Sequence, residues 1–328
     1  MKPTTQLLGA TSAFALVVMT STPAMAEGIR AGETITNTVD VTYAVGGVTQ
    51  NVEEASDTFA IDRRVNVTVA AVNSPVTVNP GEEDAFLTFT VTNLSNDTVD
   101  LDLDTVLAGS STGTDISAAD FNNAGASGAE PFQIWVEDDG VAGLSTGDLL
   151  LTGDVFLDEV AADETRTVYV VADIGLSASN AEEFDVVLTA DAHAARTVGT
   201  LGAELTESAG DSADPLAVDT VLADADGFAD NANEGDFSAE ATYVVAGALV
   251  DVIKTSIVVS DPVNGASNPK AIPGAVIRYC IAVRNAAGGA EATNISIVDD
   301  LPVDVTFNSG TILRNATVSI ATVGGVEE

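Results

Sequence analysis

The sequence predicts an all-β protein built of β-sandwich units, and three observations predict it. Apolar and polar residues alternate singly through many stretches, as in Thr38-Val39-Asp40-Val41-Thr42-Tyr43, the period of a half-buried strand. Turn-rich loops separate these stretches at short intervals, a spacing that suits a sandwich better than an α/β sheet. One strand pattern also occurs twice. Pro80-Gly81 leads to Leu87, Phe89 and Val91 and ends at Asn93, and Pro273-Gly274 leads to Tyr279, Ile281 and Val283 and ends at Asn285. In both, a Pro-Gly turn feeds a half-buried strand that closes at a residue tolerant of positive φ. A second alternating strand is expected after each asparagine, at Val99-Leu101-Leu103 and at Ile295-Ile297.

Taken in order, residues 1–26 read as a signal peptide. Lys2 precedes an apolar run from Leu7 to Met19, and the small-residue ending Ala24-Met25-Ala26 suits cleavage before Glu27. The run is shorter than the roughly 18 residues that span a bilayer, and no later segment is long and apolar enough, so the mature chain is expected to have no membrane span. Residues 27–63 read as a β-hairpin segment turning at Gly46-Gly47. Residues 64–247 read as a β-sandwich region with acidic loops, of one unit or two, with strands at Phe132–Val136, Val155–Leu157, Thr167–Val171, Phe184–Leu188 and Tyr243–Val245 and a short helix at Ser117–Phe121. Residues 248–328 read as a further sandwich unit.

Fifty acidic residues stand against 11 basic ones, a net charge of -39. Such a chain repels nucleic acid and anionic membranes and attracts cations, so nucleic-acid binding is excluded. With Cys280 the single cysteine, no internal disulfide forms. Its place between Tyr279 and Ile281 predicts an outward-facing side chain.

Two loops have the composition of a calcium site, which takes six to eight oxygen ligands from a short loop with a glycine turn. One is Asp224, Asp226, Gly227 and Asp230, followed by Asn231, Asn233, Glu234 and Asp236. The other is Glu137, Asp138, Asp139 and Gly140 with Asp148 and Asp154, directly after the strand that carries Trp135. Neither has the full EF-hand spacing. Zinc is not expected, since its sites combine several His and Cys ligands. His193 is the single histidine, so a Ser-His-Asp hydrolase would have to use it. Carboxylates are too abundant for any pair to single itself out as a glycosidase site.

The C-terminal unit resembles a known family. Val252-Ile253-Lys254-Thr255, Ile272-Pro273-Gly274, Arg278-Tyr279-Cys280-Ile281-Ala282-Val283-Arg284-Asn285, Asp299-Asp300-Leu301-Pro302 and Val305-Thr306-Phe307 are similar to the bacterial cell-surface repeat called domain of unknown function 11, over about residues 250–310. The resemblance implies tandem immunoglobulin-like sandwiches in secreted or envelope-associated proteins, and no catalytic residues. Family members continue for further strands after the positions of Val318 and Ile320, so the last sandwich is expected to be incomplete.

The expected function is therefore a non-enzymatic, secreted or cell-surface structural or adhesive protein. Self-association is expected by β-strand addition, the hairpin around Thr34–Val48 of one subunit completing the C-terminal unit of the next in a filament. The alternative partners are other cell-surface components, reached through a calcium-dependent ligand- or glycan-binding module. A secreted hydrolase is the third reading.

Overall fold

The computed structural model describes residues 28–113, 115–119, 121 and 131–308. The signal-peptide segment and the positions of Val318 and Ile320 lie outside them. The described chain is all-β, with no α-helix.

The first four strands form a hairpin. β1 (Thr34–Val41) pairs antiparallel with β4 (Glu53–Ala60), from Thr34↔Ala60 to Val41↔Glu53, and β2 (Ala44–Val45) pairs with β3 (Val48–Thr49) at the tip. Gly46 and Gly47 close the tip with φ of 61° and 87°, the doubly left-handed turn whose twist matches its flanking strands. Its base is tied to the body. The Ala31 N–H donates to the Asn96 carbonyl (3.1 Å), the Gly32 N–H to Ile61 (2.8 Å) and the Ala60 N–H to Pro215 (2.8 Å).

The body is two sheets enclosing one core. Its strands are β5 (Arg63–Val65), β6 (Val67–Val72), β7 (Val76–Val78), β8 (Ala85–Asn93), β9 (Val99–Leu107), β10 (Ile116–Ala118), β11 (Gln133–Val136), β12 (Leu149–Leu150), β13 (Phe156–Val160), β14 (Thr165–Ile174), β15 (Glu183–Ala194), β16 (Thr220–Leu222) and β17 (Asp236–Val245). One sheet runs β12-β11-β14-β8-β6 with β10 also on β14, and the other runs β13-β9-β15-β17-β7. A small parallel pair, β5 with β16, lies beside them. β10 stands where a helix at Ser117–Phe121 was expected, because Ile116–Ala118 ladders onto Ala172–Ile174.

Alternation builds the core directly. Along β8, Ala85, Leu87, Phe89, Val91 and Asn93 are buried while Phe86, Thr88, Thr90 and Thr92 are only partly covered. They meet Val168 and Val170 of β14, Leu101 and Leu103 of β9, Val186 and Leu188 of β15, and Tyr243 of β17 in one cluster. Strands across the whole span from Val65 to Val245 share it. Tyr243, fully buried, ties the sheets together: its hydroxyl sits between the carbonyls of Ala85 (3.0 Å) and Val170 (2.8 Å) on the opposite sheet, and burial pushes the phenol pKa well up. On the outer side of the β11–β14 pair, Trp135, Tyr169, Val171 and Ala119 form a smaller cluster.

The C-terminal strands β18 (Val250–Ser260) and β19 (Val276–Asn285) pair antiparallel in a two-stranded sheet. The sequence repeat is a structural one. β6 and β18 each precede the Pro-Gly turn, and the closing asparagine pairs with the first residue of that preceding strand, Val67↔Asn93 in one copy and Val250↔Asn285 in the other. Gly81 and Gly274 both take positive φ, 74° and 88°, as the third residue of such a turn requires. The asparagines themselves do not. Their amides act as braces: Asn93 accepts from the Ser95 N–H (2.9 Å) and donates to Asp97 and Val160 carbonyls (both 2.9 Å), while Asn285 accepts from the Leu249 N–H (2.9 Å) and donates to Ala290 (2.6 Å).

Two expectations in the C-terminal unit are corrected. Ile295–Ile297 forms no strand. Cys280 is half-buried beside the buried Ala282, whereas Tyr279 is exposed, so the cysteine faces the better covered side. That side is the one carrying the small side chain of Ala282 opposite Ile253.

Candidate functional site

The loop from Glu137 to Asp148 bridges β11 and β12, which pair at Trp135↔Leu150 and Val136↔Leu149. It is folded by its own carboxylates. Glu137 accepts from the Gly140 N–H (2.8 Å) and the Tyr169 hydroxyl (2.7 Å); Asp139 accepts from the Val141 N–H (2.7 Å) and the Ser145 hydroxyl (2.6 Å). Asp148, itself buried, accepts from the Ser145 N–H (2.7 Å) and, at 3.3 Å, from the Asp138 N–H. One oxygen from each of Glu137, Asp139 and Asp148 lies within 4.8 Å of the others. Gly147 lets the loop close, since a Cβ there would collide with the Asp139 carboxylate.

The hydrogen bonds from Ser145 and Val141 hold the Asp139 carboxyl below the usual range. Burial, then the bond to Glu137, pushes Tyr169 up to about 12. The donor set is all oxygen and carries three negative charges, which fits a hard cation such as calcium and not a soft one. Asp138 supplies only its N–H to this group. Asp154 lies elsewhere, close enough to Asp102 to raise its pKa.

The second expected loop is organised differently. Asp224, buried, accepts from the N–H groups of Glu234 (3.1 Å) and Gly235 (2.9 Å), and Asp226 from Ala232 (2.7 Å). Asp230 accepts from the Gly227 N–H (3.0 Å) and the Ser238 hydroxyl. Each carboxylate thus braces a turn. Among the described residues this loop brings no three of its carboxylates as close as the Glu137 group.

Asp236 belongs to a different constellation. It stands opposite Asp191 on β15, which stands opposite Asp102 on β9, so three aspartates line up across adjacent strands. Like charges directly opposite one another destabilise a sheet. Burial first, then Asp230 and Asp191, pushes Asp236 up to about 6, and burial also raises Asp191 and Asp102. One buried carboxylate oxygen of Asp236 has no hydrogen-bond partner. The alternation Asp100-Leu101-Asp102-Leu103-Asp104 was visible in sequence, but the cross-strand register that lines up Asp102, Asp191 and Asp236 was not.

His193 closes the end of this row. Its Nδ1 lies 2.8 Å from the Gly202 carbonyl and its Nε2 lies 3.2 Å from Asp191. The carbonyl can only accept, so Nδ1 is the donor in that bond. Two Gly-x-Ser-x-Gly sequences, Gly109–Gly113 and Gly143–Gly147, place Ser111 and Ser145 in loops. Ser111 bonds to the backbone of Asp185 and Ser145 to Asp139, and no strand-to-helix elbow exists among the described residues.

No known protein family matches the chain, and no curated protein does. Among solved structures it is similar to one reported under the words "AvmM Catalyzes Macrocyclization in Alchivemycin A Biosynthesis", at 11% identity and a TM-score of 0.25, over 57% of this chain and 91% of that one. A likeness that slight carries no argument about function.

Proposed function

We propose that this chain is a non-enzymatic structural or adhesive protein of the bacterial exterior, with tandem immunoglobulin-like units, that self-associates through its exposed strands. One observation carries the reading. Within strands, exposed large apolar side chains concentrate on the two terminal hairpins: Val39, Val41, Val45, Val48 and Phe59 in one, and Val250, Val252, Ile253, Ile257, Val259, Val276, Ile277 and Tyr279 in the other. A two-stranded sheet is marginal alone in water, and its unpaired edges and uncovered apolar sides are templates for another chain. The brace roles of His193, Ser111 and Ser145 favour a scaffold over a hydrolase. Export rests on the leader-like segment of residues 1–26. No helix among the described residues is long and apolar enough to cross a membrane.

Electron microscopy and light scattering of the purified protein test this reading. Filaments or defined oligomers are expected, and a monodisperse monomer at high concentration sinks the self-association.

The Glu137, Asp139 and Asp148 group supports a second reading, in which calcium stiffens the loop beside Trp135 and adhesion depends on it. Calcium is then expected to raise the melting temperature, as a ligand of the folded state must, while sodium at equal ionic strength does not. Asp148→Asn is expected to abolish the difference. Equal shifts with both salts remove calcium from the account.

A further inference from the structure

We infer that the apolar side of β18–β19 is a docking surface for the β1–β4 hairpin of a second copy of this chain, in a head-to-tail contact; this rests on the self-associating reading above.

The repeat identifies which side is involved. With Asn285 equivalent to Asn93, and Val250 to Val67, the counterparts of buried Leu87, Phe89 and Val91 are Tyr279, Ile281 and Val283, and the counterpart of Val69 is Val252. In the body these positions are covered by the opposite sheet. In the C-terminal copy Val252 is 59% exposed and Tyr279 42%, so the strand pair presents the inner side of a sandwich whose second layer is missing among the described residues.

The N-terminal hairpin has the form of such a layer. Its register puts Ile35, Val39, Val41, Ala55 and Phe59 on one side and Thr34, Thr36, Thr38 and Asp40, with Ser56 and Thr58, on the other. Val39 is 55% exposed. Eight paired residues span roughly 27 Å, short enough to lie along the ten-residue β19.

Charge selects the partner. In a protein of net charge -39, residues 250–285 are the exception, with Lys254, Lys270, Arg278 and Arg284 against Asp251 and Asp261. The β1–β4 hairpin carries Asp40, Glu53, Glu54 and Asp57 and no basic residue. Glu53 and Asp57 share its apolar side; Lys254 shares that of β18–β19, where it also pairs with Asp299 (2.6 Å), while Arg278 and Arg284 lie on the other side of the strand pair and contribute at longer range. Most of the acidic surface repels a second copy, and these two hairpins attract. Because the two surfaces differ, the contact does not close on itself and propagates into a chain of subunits.

A mixing experiment tests the pairing. Val39→Lys damages only the donor hairpin, and Val252→Glu only the acceptor. Sedimentation velocity is expected to show wild-type assemblies, each variant alone associating about tenfold more weakly or worse, and the equimolar mixture stopping at dimers, since one intact donor and one intact acceptor remain. Unchanged circular dichroism and melting of both variants establish that the body is folded. A wild-type monomer overturns the pairing together with the self-associating reading. Wild-type assembly that either variant retains, or a mixture that forms no dimers, overturns the pairing alone and hands the acceptor surface to another occupant, such as the chain's own C-terminal residues.

Discussion

The strand pairs β6–β8 and β18–β19 are the same motif in two settings. Both run into a Pro-Gly turn with a left-handed glycine, both return antiparallel, and both end on an asparagine whose amide clamps the following loop. In the first, a second sheet packs on the apolar side, and Leu87, Phe89 and Val91 lose all contact with solvent. In the second, Tyr279 remains exposed and Ile281 and Val283 are only half-buried. The local sequence therefore suffices for the turn, the pairing and the terminator, while burial is conferred from elsewhere in the chain or from outside it. Stability should follow burial, not motif.

The largest expected effect is at the aromatic side chain that each copy carries on its apolar side, one position of the alternation apart. Phe89→Ala, with its side chain fully buried, should cost about 3–5 kcal/mol in denaturant unfolding. Tyr279→Ala in the purified monomer should cost under about 1 kcal/mol, because little apolar surface returns to water. Equal costs break the comparison, since they mean that the C-terminal copy is covered within one chain.

The terminating asparagines sharpen it. Asn93 is fully buried and its amide joins three backbone groups, so Asn93→Ala strands buried donors and acceptors and should cost about 2–3 kcal/mol. Asn285→Ala, at an exposed residue, should cost about 1 kcal/mol or less. Hydrogen exchange gives the same contrast without mutation: β8 amides should exchange only through global unfolding and β19 amides through local opening.

Much of the fold was legible in the sequence because strand periodicity and turn residues act over a few positions. The alternation at Leu87-Phe89-Val91, the Gly46-Gly47 tip and the Pro-Gly repeat all have local causes. Features set by register were not legible. Ile116–Ala118 is a strand because β14 offers an edge to it, and Asp236 meets Asp191 because β15 and β17 pair in one particular alignment. The acidic loops were visible as composition, but composition could not separate Asp224, Asp226 and Asp230, which brace turns, from Glu137, Asp139 and Asp148, which converge. That convergence depends on β11 pairing with β12 across the loop.

The smallest expected effect is on pH dependence, and it belongs to the covered copy alone. The sheet that packs over β6–β8 carries the Asp102, Asp191 and Asp236 row, and among the described residues no second sheet packs on β18–β19. Asp236 has a folded-state pKa of about 6 against an ordinary 3.8, raised by burial and then by Asp230 and Asp191. A raised carboxyl binds its proton more tightly when folded, so its stabilising contribution is complete below the unfolded value and is lost as pH rises through about 6. Trp135, the single tryptophan, lies in the body, and its fluorescence reports the sandwich without the hairpins. Its melting temperature should fall as pH is raised across that window. Asp236→Asn should flatten the dependence, whereas Asp57→Asn on the exposed hairpin removes the same charge and should leave it intact. If both substitutions flatten it equally, the effect comes from the net charge of -39, and the row of aspartates has no special part in it.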